Sequence, residues 1–397
     1  MATMYNDPSD VLGGGVVASS MGDQIRLDHY AKKALIEARR EQYFSQLADV
    51  TSMPKNMGKT IKKYQYIPLL DDANANTQGI DAAGAAQVAT TNGRLYGSSK
   101  DPGVILGKMP ALREEAGRVN RVGFTRVEVT GTIKKYGFFD EYTQDSVDFD
   151  TDADLRMHIN REMVNGAVEM SEDLLQIDLL AAAETTRWTG AATSVANTTP
   201  TALVDYGDLL ALSIMLDQNR TPKQTKVISG TRMIDTKTIR GGRVLYVGTE
   251  LIPTLEKMVD LHAAPAFVSV EKYADAGSVL NGEVGSIGNF RIVVVPEMMG
   301  YPAGGAAGVV TTFMGDGTNY DVYPMLCVGD GAFSTIGFQT DGKTVKFKIK
   351  HAAPGSTESY ASDPYGETGF MSIKWFYGTL IQRPERLGII WTGALAA

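Results

Sequence analysis

Cysteine is almost absent from this sequence of 397 residues. Cys327 is the single cysteine, which excludes an internal disulfide and any site built from several thiolates. Histidine is also scarce, and no histidine stands at metal-ligand spacing from another; the four are His29, His158, His262 and His351. The sequence therefore offers no metal centre of the common cysteine or histidine kinds.

Long apolar runs are missing too. No uninterrupted run approaches the roughly 18 apolar residues that a membrane-spanning helix needs. The richest segment, 292–313, contains Glu297, two prolines and several glycines. The first residues lack the basic and apolar regions of a secretory signal. We therefore expect no membrane partner and action in a cytoplasm.

Positive charge is in deficit, with 38 basic residues against 46 acidic ones and a net charge of −8. Such a chain has no overall attraction for nucleic acid or an anionic membrane. The acids concentrate in 141–185, where twelve stand against two arginines, a net charge of −10. Hydrophobic residues make up 43%, which excludes global disorder and fits two or three packed units.

Catalytic motifs are absent as well. There is no P-loop and no G-x-S-x-G, and Ser52-Met53-Pro54-Lys55 matches S-x-x-K only formally. Cys327 stands between Leu326 and Val328 and is interpreted as a small core residue. Asp316, Asn319 and Asp321 could hold a hard cation, but a Gly-rich turn is favoured. The sequence predicts no catalytic residue and no cofactor.

The hydrophobic spacing predicts helices at 24–47, 151–183, 208–218 and 249–261. The helix over 151–183 has the strongest signal, with Thr151 as its N-cap. Strands are predicted at 59–70, 122–139, 227–229, 244–247, 291–295, 345–349, 372–381 and 388–391.

The strands predicted at 59–70 and 122–139 flank a stretch rich in Gly, Ala, Asn and Thr, at 71–107. This layout predicts a long two-stranded excursion, and an isolated ribbon of that kind is marginally stable in water. We expect it to lie on a neighbouring molecule. Residues 1–22 have the composition of an extended arm, and we expect the same support for them.

Several motifs appear in an order that resembles a known family. The stretch 273–291 ends in Glu283-Val284-Gly285-Ser286-Ile287-Gly288-Asn289-Phe290-Arg291, similar to the "gEiG.i.gvR" signature, with Asn289 where the signature has Gly. Tyr136-Gly137 leads into the long helix, Met53-Pro54-Lys55 precedes the first excursion strand, and Arg243-Val244-Leu245-Tyr246-Val247 precedes the helix at 250. The sequence resembles the tailed-bacteriophage major capsid proteins with the Hong-Kong-97-type fold, in the N-four-like podovirus subfamily.

The resemblance implies an α+β fold with an N-terminal arm, an extended β-hairpin loop, a spine helix in a peripheral domain, and an α/β axial domain. The expected divisions are 1–58 for the arm and first helix and 59–139 for the extended loop with its flanking strands. The peripheral domain with the spine helix is 140–202, the axial domain is 203–335, and 336–397 returns to the peripheral domain.

The implied function is a major capsid protein that self-assembles into pentamers and hexamers of an icosahedral head enclosing double-stranded DNA, without catalysis. The implied partners are copies of the chain itself, portal, scaffolding and decoration proteins, and packaged DNA contacted non-specifically. A separate scaffolding protein, or none, is expected, and a covalent Lys–Asn cross-link is not. The alternatives are an encapsulin-like compartment and a soluble α/β enzyme with an unrecognised site.

Charged residues are candidates for salt bridges between subunits, because the basic ones lack the interleaved aromatics of a nucleic-acid surface. An exposed pair contributes only about 0–1 kcal/mol, so many copies would be needed. The acidic spine helix, if it faces the lumen, would repel packaged DNA. The candidates are Lys59, Lys62, Lys63, Arg94, Lys100, Arg113, Arg118, Arg121, Arg126, Asp145, Asp148, Glu162, Glu169, Lys346, Lys348 and Lys350.

Overall fold

The computed structural model describes residues 43–47, 49–53, 56, 58–66, 126–149, 155–199, 203–228, 236–240, 242–272, 280–308, 312–340, 343–344, 347–355 and 365–396. The predicted arm, most of the helix at 24–47 and the stretch 71–107 lie outside these residues. So do six of the candidate contact residues, Arg94, Lys100, Arg113, Arg118, Arg121 and Lys346.

In chain order the strands are β1 (Asp49–Met53), β2 (Thr60–Tyr66), β3 (Arg126–Thr132), β4 (Lys134–Thr143), β5 (Thr185–Trp188), β6 (Gln224–Ile228), β7 (Thr236–Arg240), β8 (Arg243–Val247), β9 (Phe267–Ser269), β10 (Glu283–Ile287), β11 (Phe290–Val294), β12 (Tyr323–Val328), β13 (Phe333–Thr340), β14 (Lys343–Thr344), β15 (Phe347–Ala352), β16 (Thr368–Ile381) and β17 (Leu387–Thr392). The α-helices are α1 (Gln144–Phe149), α2 (Leu155–Ala182), α3 (Tyr206–Gln218) and α4 (Ile252–Glu256).

A six-stranded sheet is organised around β16, its longest strand. β16 pairs antiparallel with β4, β13 and β15, and β1 extends the sheet as a parallel neighbour of β13. Alternate residues of β16, Met371, Ile373 and Trp375, are buried against Met163 and Ala167 of α2. The period-two pattern of this strand therefore gives the sheet one face for the helix and one face directed away from it.

A seven-stranded mixed sheet, in the order β5-β17-β12-β8-β11-β10-β9, forms the second unit. Its two faces have separate cores, because successive residues of β8 point in opposite directions. Leu245 packs with Leu212 of α3 and with α4, whereas Val244 and Tyr246 pack with Leu175 of α2. The helix α2 thus contributes to the cores of both sheets.

The 28 residues of α2 correspond to a helix of about 42 Å at 1.5 Å per residue. This confirms the helix predicted over 151–183, although it begins at Leu155, and Thr151 lies outside the described residues. The next helix, α3, begins two residues earlier than predicted, at Tyr206. Asp205 caps it, because its side chain accepts a hydrogen bond from the Asp208 backbone N–H at 2.7 Å in a capping box.

The predicted β excursion is confirmed at its base. β2 and β3 pair antiparallel from Thr60 opposite Thr132 to Tyr66 opposite Arg126. We call these two strands the hairpin root. Its inner side places Ile61 and Val129 against a small core that includes Ile336 and Leu380 of the six-stranded sheet. The root is therefore attached to its own sheet.

Three predicted elements were wrong in extent. The strand at 122–139 is divided into β3 and β4 at Ile133, which is 6% exposed in the core, and β4 continues to Thr143. The helix at 249–261 ends at Glu256, since Asp260 organises a tight loop there and Val259 bridges Pro265. Phe44–Leu47, in the predicted helix at 24–47, forms a 3-10 turn.

The segment 336–397 divides between the sheets. β15 and β16 lie in the six-stranded sheet with α2 on one face, whereas β17 is an internal strand of the seven-stranded sheet, between β5 and β12. Among the helices of the described residues, none is long and apolar enough to cross a bilayer.

Candidate intersubunit surfaces

The outer side of the hairpin root carries aromatic and charged side chains. Tyr64 and Tyr66 are 49% and 54% exposed. The Arg126 guanidinium lies 4.0 Å from the centroid of the Tyr64 ring, a cation–π geometry. Lys62 Nζ lies 2.5 Å from the Glu128 carboxylate, so the two strands are also joined by an ion pair. The root therefore presents a pre-arranged surface of stacked and paired groups.

Two of the predicted contact lysines have partners within the chain. The hydrogen bond and charge of Glu128 raise the pKa of Lys62 above its ordinary value. On the inner side of the root, Lys63 Nζ donates to Thr51 Oγ1 of β1 at 3.3 Å. Both lysines help to hold the root together and to its sheet, whereas Lys59 is exposed just before β2.

A face rich in lysine lies on the six-stranded sheet, on the side away from α2. Lys348 of β15 stands directly opposite Lys374 of β16, and Lys350 is opposite Ser372. Lys135 of β4 is on the same side, opposite Phe376. Phe139, also of β4, is 56% exposed in this face. We call the face of Lys135, Lys348, Lys350 and Lys374 the lysine face.

Lys374 is absent from the candidates that the sequence supplied. The strand predicted at 372–381 is mainly apolar, whereas the alternating lysines stand out at 346–350. The signal was present, because Lys374 stands between Ile373 and Trp375, and a period of two places it opposite their buried side.

The acidic candidates form two groups. Asp145 and Asp148 are exposed on α1, and Gln144 Nε2 donates to Asp148 Oδ1 at 2.8 Å. Glu162 and Glu169 are exposed on α2. We call the pair Asp145 and Asp148 the acidic corner, because α1 follows β4 at the end of the sheet where Thr143 pairs with Thr368.

Not every acid of α2 faces solvent. Glu172 is 4% exposed, and its carboxylate accepts hydrogen bonds from the Ser45 backbone N–H at 3.2 Å and from Ser45 Oγ at 2.6 Å. Asp178 accepts a hydrogen bond from Thr379 of β16. Glu172 is three residues before Leu175, so helical spacing places both on the stripe that faces the core.

The residues considered for catalysis or cation binding have structural roles. Cys327 is fully buried, and desolvation raises the pKa of its thiol to about 12. Asp316 Oδ1 accepts backbone hydrogen bonds from Thr318 and Asn319 at 2.8 and 2.7 Å, which confirms the predicted turn. Within the described ranges, no group of three or more His, Cys, Asp or Glu side chains could hold a metal ion.

Comparison with known proteins identifies the protein family of this chain. A family model described as "Phage capsid protein" matches residues 126–378, which include α2 and most strands of both sheets, but not β1 or β17. The chain belongs to the phage capsid protein family. The "Major capsid protein" of Pseudomonas phage KPP21 is 54% identical over 392 residues, covering 98% of this chain and 97% of that protein.

Solved structures support the phage capsid fold. The capsid of Ralstonia phage GP4 matches with a TM-score of 0.55 at 13% identity, covering 96% of this chain and 98% of that one. The Cyanophage Pam1 capsid matches with a TM-score of 0.54 at 11% identity, covering 96% and 100%.

Family membership assigns the chain a structural role and confirms that it is not an enzyme. The resemblance identified from the sequence is confirmed at the level of the phage capsid family. The encapsulin-like and enzyme alternatives have no support from these relatives.

Proposed function

We propose that the chain is the shell-forming subunit of a phage head with the Hong-Kong-97-type architecture, and that its copies form pentamers and hexamers around double-stranded DNA. The observation that carries the proposal is the 54% identity to a phage major capsid protein along nearly the whole of both chains.

The geometry supports this function through the hairpin root. A two-stranded ribbon that leaves a sheet needs a further surface for stability. The exposed Tyr64 and Tyr66 on its outer side supply apolar area of the kind that is buried in protein interfaces. The ribbon docks on a neighbouring subunit, a head-to-tail contact that closes into rings.

The two sheets correspond to the peripheral and axial domains. The peripheral domain contains α2 and the six-stranded sheet, and the axial domain contains the seven-stranded sheet. This proposed division differs from the one expected from the sequence, because it groups β5 and β17 with the axial strands and β1 with the peripheral ones.

The charged candidates contribute unequally to contacts between subunits. Lys59, Lys348, Lys350, Asp145, Asp148, Glu162 and Glu169 are favoured because they are exposed, whereas Lys62 and Lys63 also hold the root together within their own chain. Each exposed pair contributes about 0–1 kcal/mol, so the shell depends on many moderate contacts and is sensitive to salt. Arg94, Lys100, Arg113, Arg118, Arg121, Arg126 and Lys346 remain candidates.

Further partners follow from the same role. Portal, scaffolding and decoration proteins bind the shell, which assembles in the host cytoplasm and becomes the capsid of the virion. If the exposed Glu162 and Glu169 face the lumen, they repel the phosphates of packaged DNA and keep contacts with the genome non-specific. Strong binding of duplex DNA to the inner wall of empty shells would exclude this orientation.

The test is the assembly state of the purified chain. Negative-stain electron microscopy and sedimentation velocity should show closed polyhedral particles, or five- and six-membered rings that convert to them. A population that stays monomeric at every concentration and salt condition, with a scaffolding protein co-expressed, would refute the proposal.

A further inference from the structure

The lysine face contains two like charges that are directly opposed on neighbouring strands. Lys348 and Lys374 are directly opposed across β15 and β16, and both are exposed. Directly opposed residues on one sheet face have Cβ atoms about 4.5–5.5 Å apart, and like charges at that distance are destabilising. Lys350 adds a third positive charge two residues along the same strand.

The described part of the chain does not neutralise this pair. Neither Lys348 nor Lys374 has an acidic partner there, and the neighbour of Lys374 on β4 is Gly137. The acidic residue of β4 on this side is Glu141, which pairs with Phe370, four residues from Lys374 along β16. Four residues of extended strand span about 13 Å, beyond the reach of a salt bridge.

A complementary surface occurs elsewhere on the same chain. Asp145 and Asp148 are three residues apart on α1, which places their Cβ atoms about 5–6 Å apart on one side of the helix. This spacing matches that of an opposed pair on a sheet. Within one copy the two surfaces cannot meet, because α1 follows the pairing of Thr143 with Thr368 and Lys374 lies six residues farther along β16, about 20 Å away.

The apolar neighbours of the lysines favour a protein partner over nucleic acid. Phe139 is 56% exposed in the same face, and Lys350 Nζ lies 5.9 Å from the centroid of the Phe370 ring. Duplex DNA would offer phosphates to the lysines but nothing to cover Phe139. A helix laid across the face buries this ring and brings carboxylates to the lysines.

We propose that the lysine face binds the acidic corner of a second copy of the chain, with Asp145 and Asp148 of one subunit set over Lys348 and Lys374 of the next. This inference rests on the proposed function, because it identifies one contact of the shell. It also accounts for the opposed lysines, since the carboxylates of the second copy would relieve the repulsion between them.

The first variant is Lys348→Glu, which separates folding from docking. The introduced carboxylate would stand opposite Lys374 and replace a like-charge pair by an attractive one, so the melting temperature of the free subunit should stay the same or rise. Assembly should weaken. Loss of about 1.4 kcal/mol per contact corresponds to a tenfold higher concentration for half-maximal assembly. Lys257→Glu, an equal charge change at an exposed site near the seven-stranded sheet, is the control and should assemble normally.

The decisive experiment is a charge reversal of both surfaces, followed by sedimentation. Lys348→Glu/Lys374→Glu and Asp145→Lys/Asp148→Lys should each lose particles, and the four substitutions together should restore them. Particles from every variant would overturn this inference and leave the proposed function intact. Loss without restoration in folded subunits would overturn the pairing. Normal particles that bind less duplex DNA would assign the face to nucleic acid instead. Absence of wild-type particles would refute both proposals.

Discussion

The guanidinium of Arg243 lies 2.5 Å from the carboxylate of Asp217, and the two side chains differ in exposure. The Arg243 side chain is fully buried, whereas 41% of the Asp217 side chain is exposed. Arg243 also donates to the Thr221 carbonyl at 2.6 Å. The pair therefore joins the first residue of β8 to the last turn of α3 and to the segment that follows it.

Replacing Asp217 should be costly, because it leaves a positive charge in the interior. We expect Asp217→Ala to lower the free energy of unfolding of the free subunit by about 2 kcal/mol, below the usual loss for a broken buried pair because the Thr221 carbonyl remains. Denaturant titration measures this. The control is Lys223→Ala. The Lys223 side chain is the other partner of Asp217 and is 52% exposed, so its removal should change the free energy of unfolding by less than about 1 kcal/mol. Equal losses would contradict the account.

The same pair should make stability depend on pH in the acid range. Burial alone would raise the pKa of Asp217, but hydrogen bonds from Arg243 and Lys223 outweigh it and hold the pKa below the ordinary value of 3.8. The unfolded chain then takes up the proton first as pH falls, so the contribution is complete above about pH 5 and is lost below pH 3.8. The difference in unfolding free energy between wild type and Asp217→Asn should therefore shrink as the pH falls from about 5 to below 3.8. A difference that stays constant down to about pH 2.5 would exclude this origin.

Phe44 should be essential for joining the first described segment to the body of the subunit. It is 2% exposed, and its ring centroid lies 4.7 Å from that of Tyr246 in the core between α2 and the seven-stranded sheet. We expect Phe44→Ala to cost about 3–5 kcal/mol in unfolding free energy. Met170→Ala, at a residue of α2 that is 42% exposed, should cost less than about 1 kcal/mol. A small loss at Phe44 would show that the segment contributes little to the core.

Replacing each of two glycines with alanine should change the stability of the free subunit in opposite directions. A Cβ on Gly378 of β16 would lie 2.6 Å from the Thr132 carbonyl oxygen, so Gly378→Ala should displace the hairpin root and lower both stability and assembly. A Cβ on Gly166, inside α2, would meet Phe138 at an ordinary 3.5 Å. Gly166→Ala should therefore raise unfolding free energy by about 0.5–1 kcal/mol through helix propensity. Thermal unfolding of both free subunits checks the signs.

Local patterns explain which elements could be predicted. The spacing of Ile159, Met163 and Ala167 sufficed to predict α2, and the alternation around Ile349 and the mainly apolar run at 372–381 indicated two strands that form part of the sheet beside it. Burial of one face gives each helix or strand a hydrophobic period that can be read within its own segment. Pairing between strands that are distant in the sequence leaves no such pattern. β1 lies parallel to β13, with Asp49 opposite Ser334, and nothing near either strand specifies the other.

The candidate surfaces were predicted less completely. The charges at 59–63 and 346–350 lie on or beside β2 and β15, but sequence could not show that Lys62 meets Glu128 or that Lys63 meets Thr51, because both contacts depend on the register of pairing. The same limit applies to Glu172. The sequence shows it only as one of the twelve acids of 141–185, and its partner Ser45 in the interior is 127 residues away along the chain.

The most direct test of the proposed shell is a cryo-electron microscopy reconstruction of assembled particles at side-chain resolution. We expect the ribbon that continues from β2 and β3 to lie on an adjacent subunit, with Tyr64 or Tyr66 in contact with it. A reconstruction in which the ribbon folds back onto its own subunit, and leaves both tyrosines in solvent, would contradict the central claim.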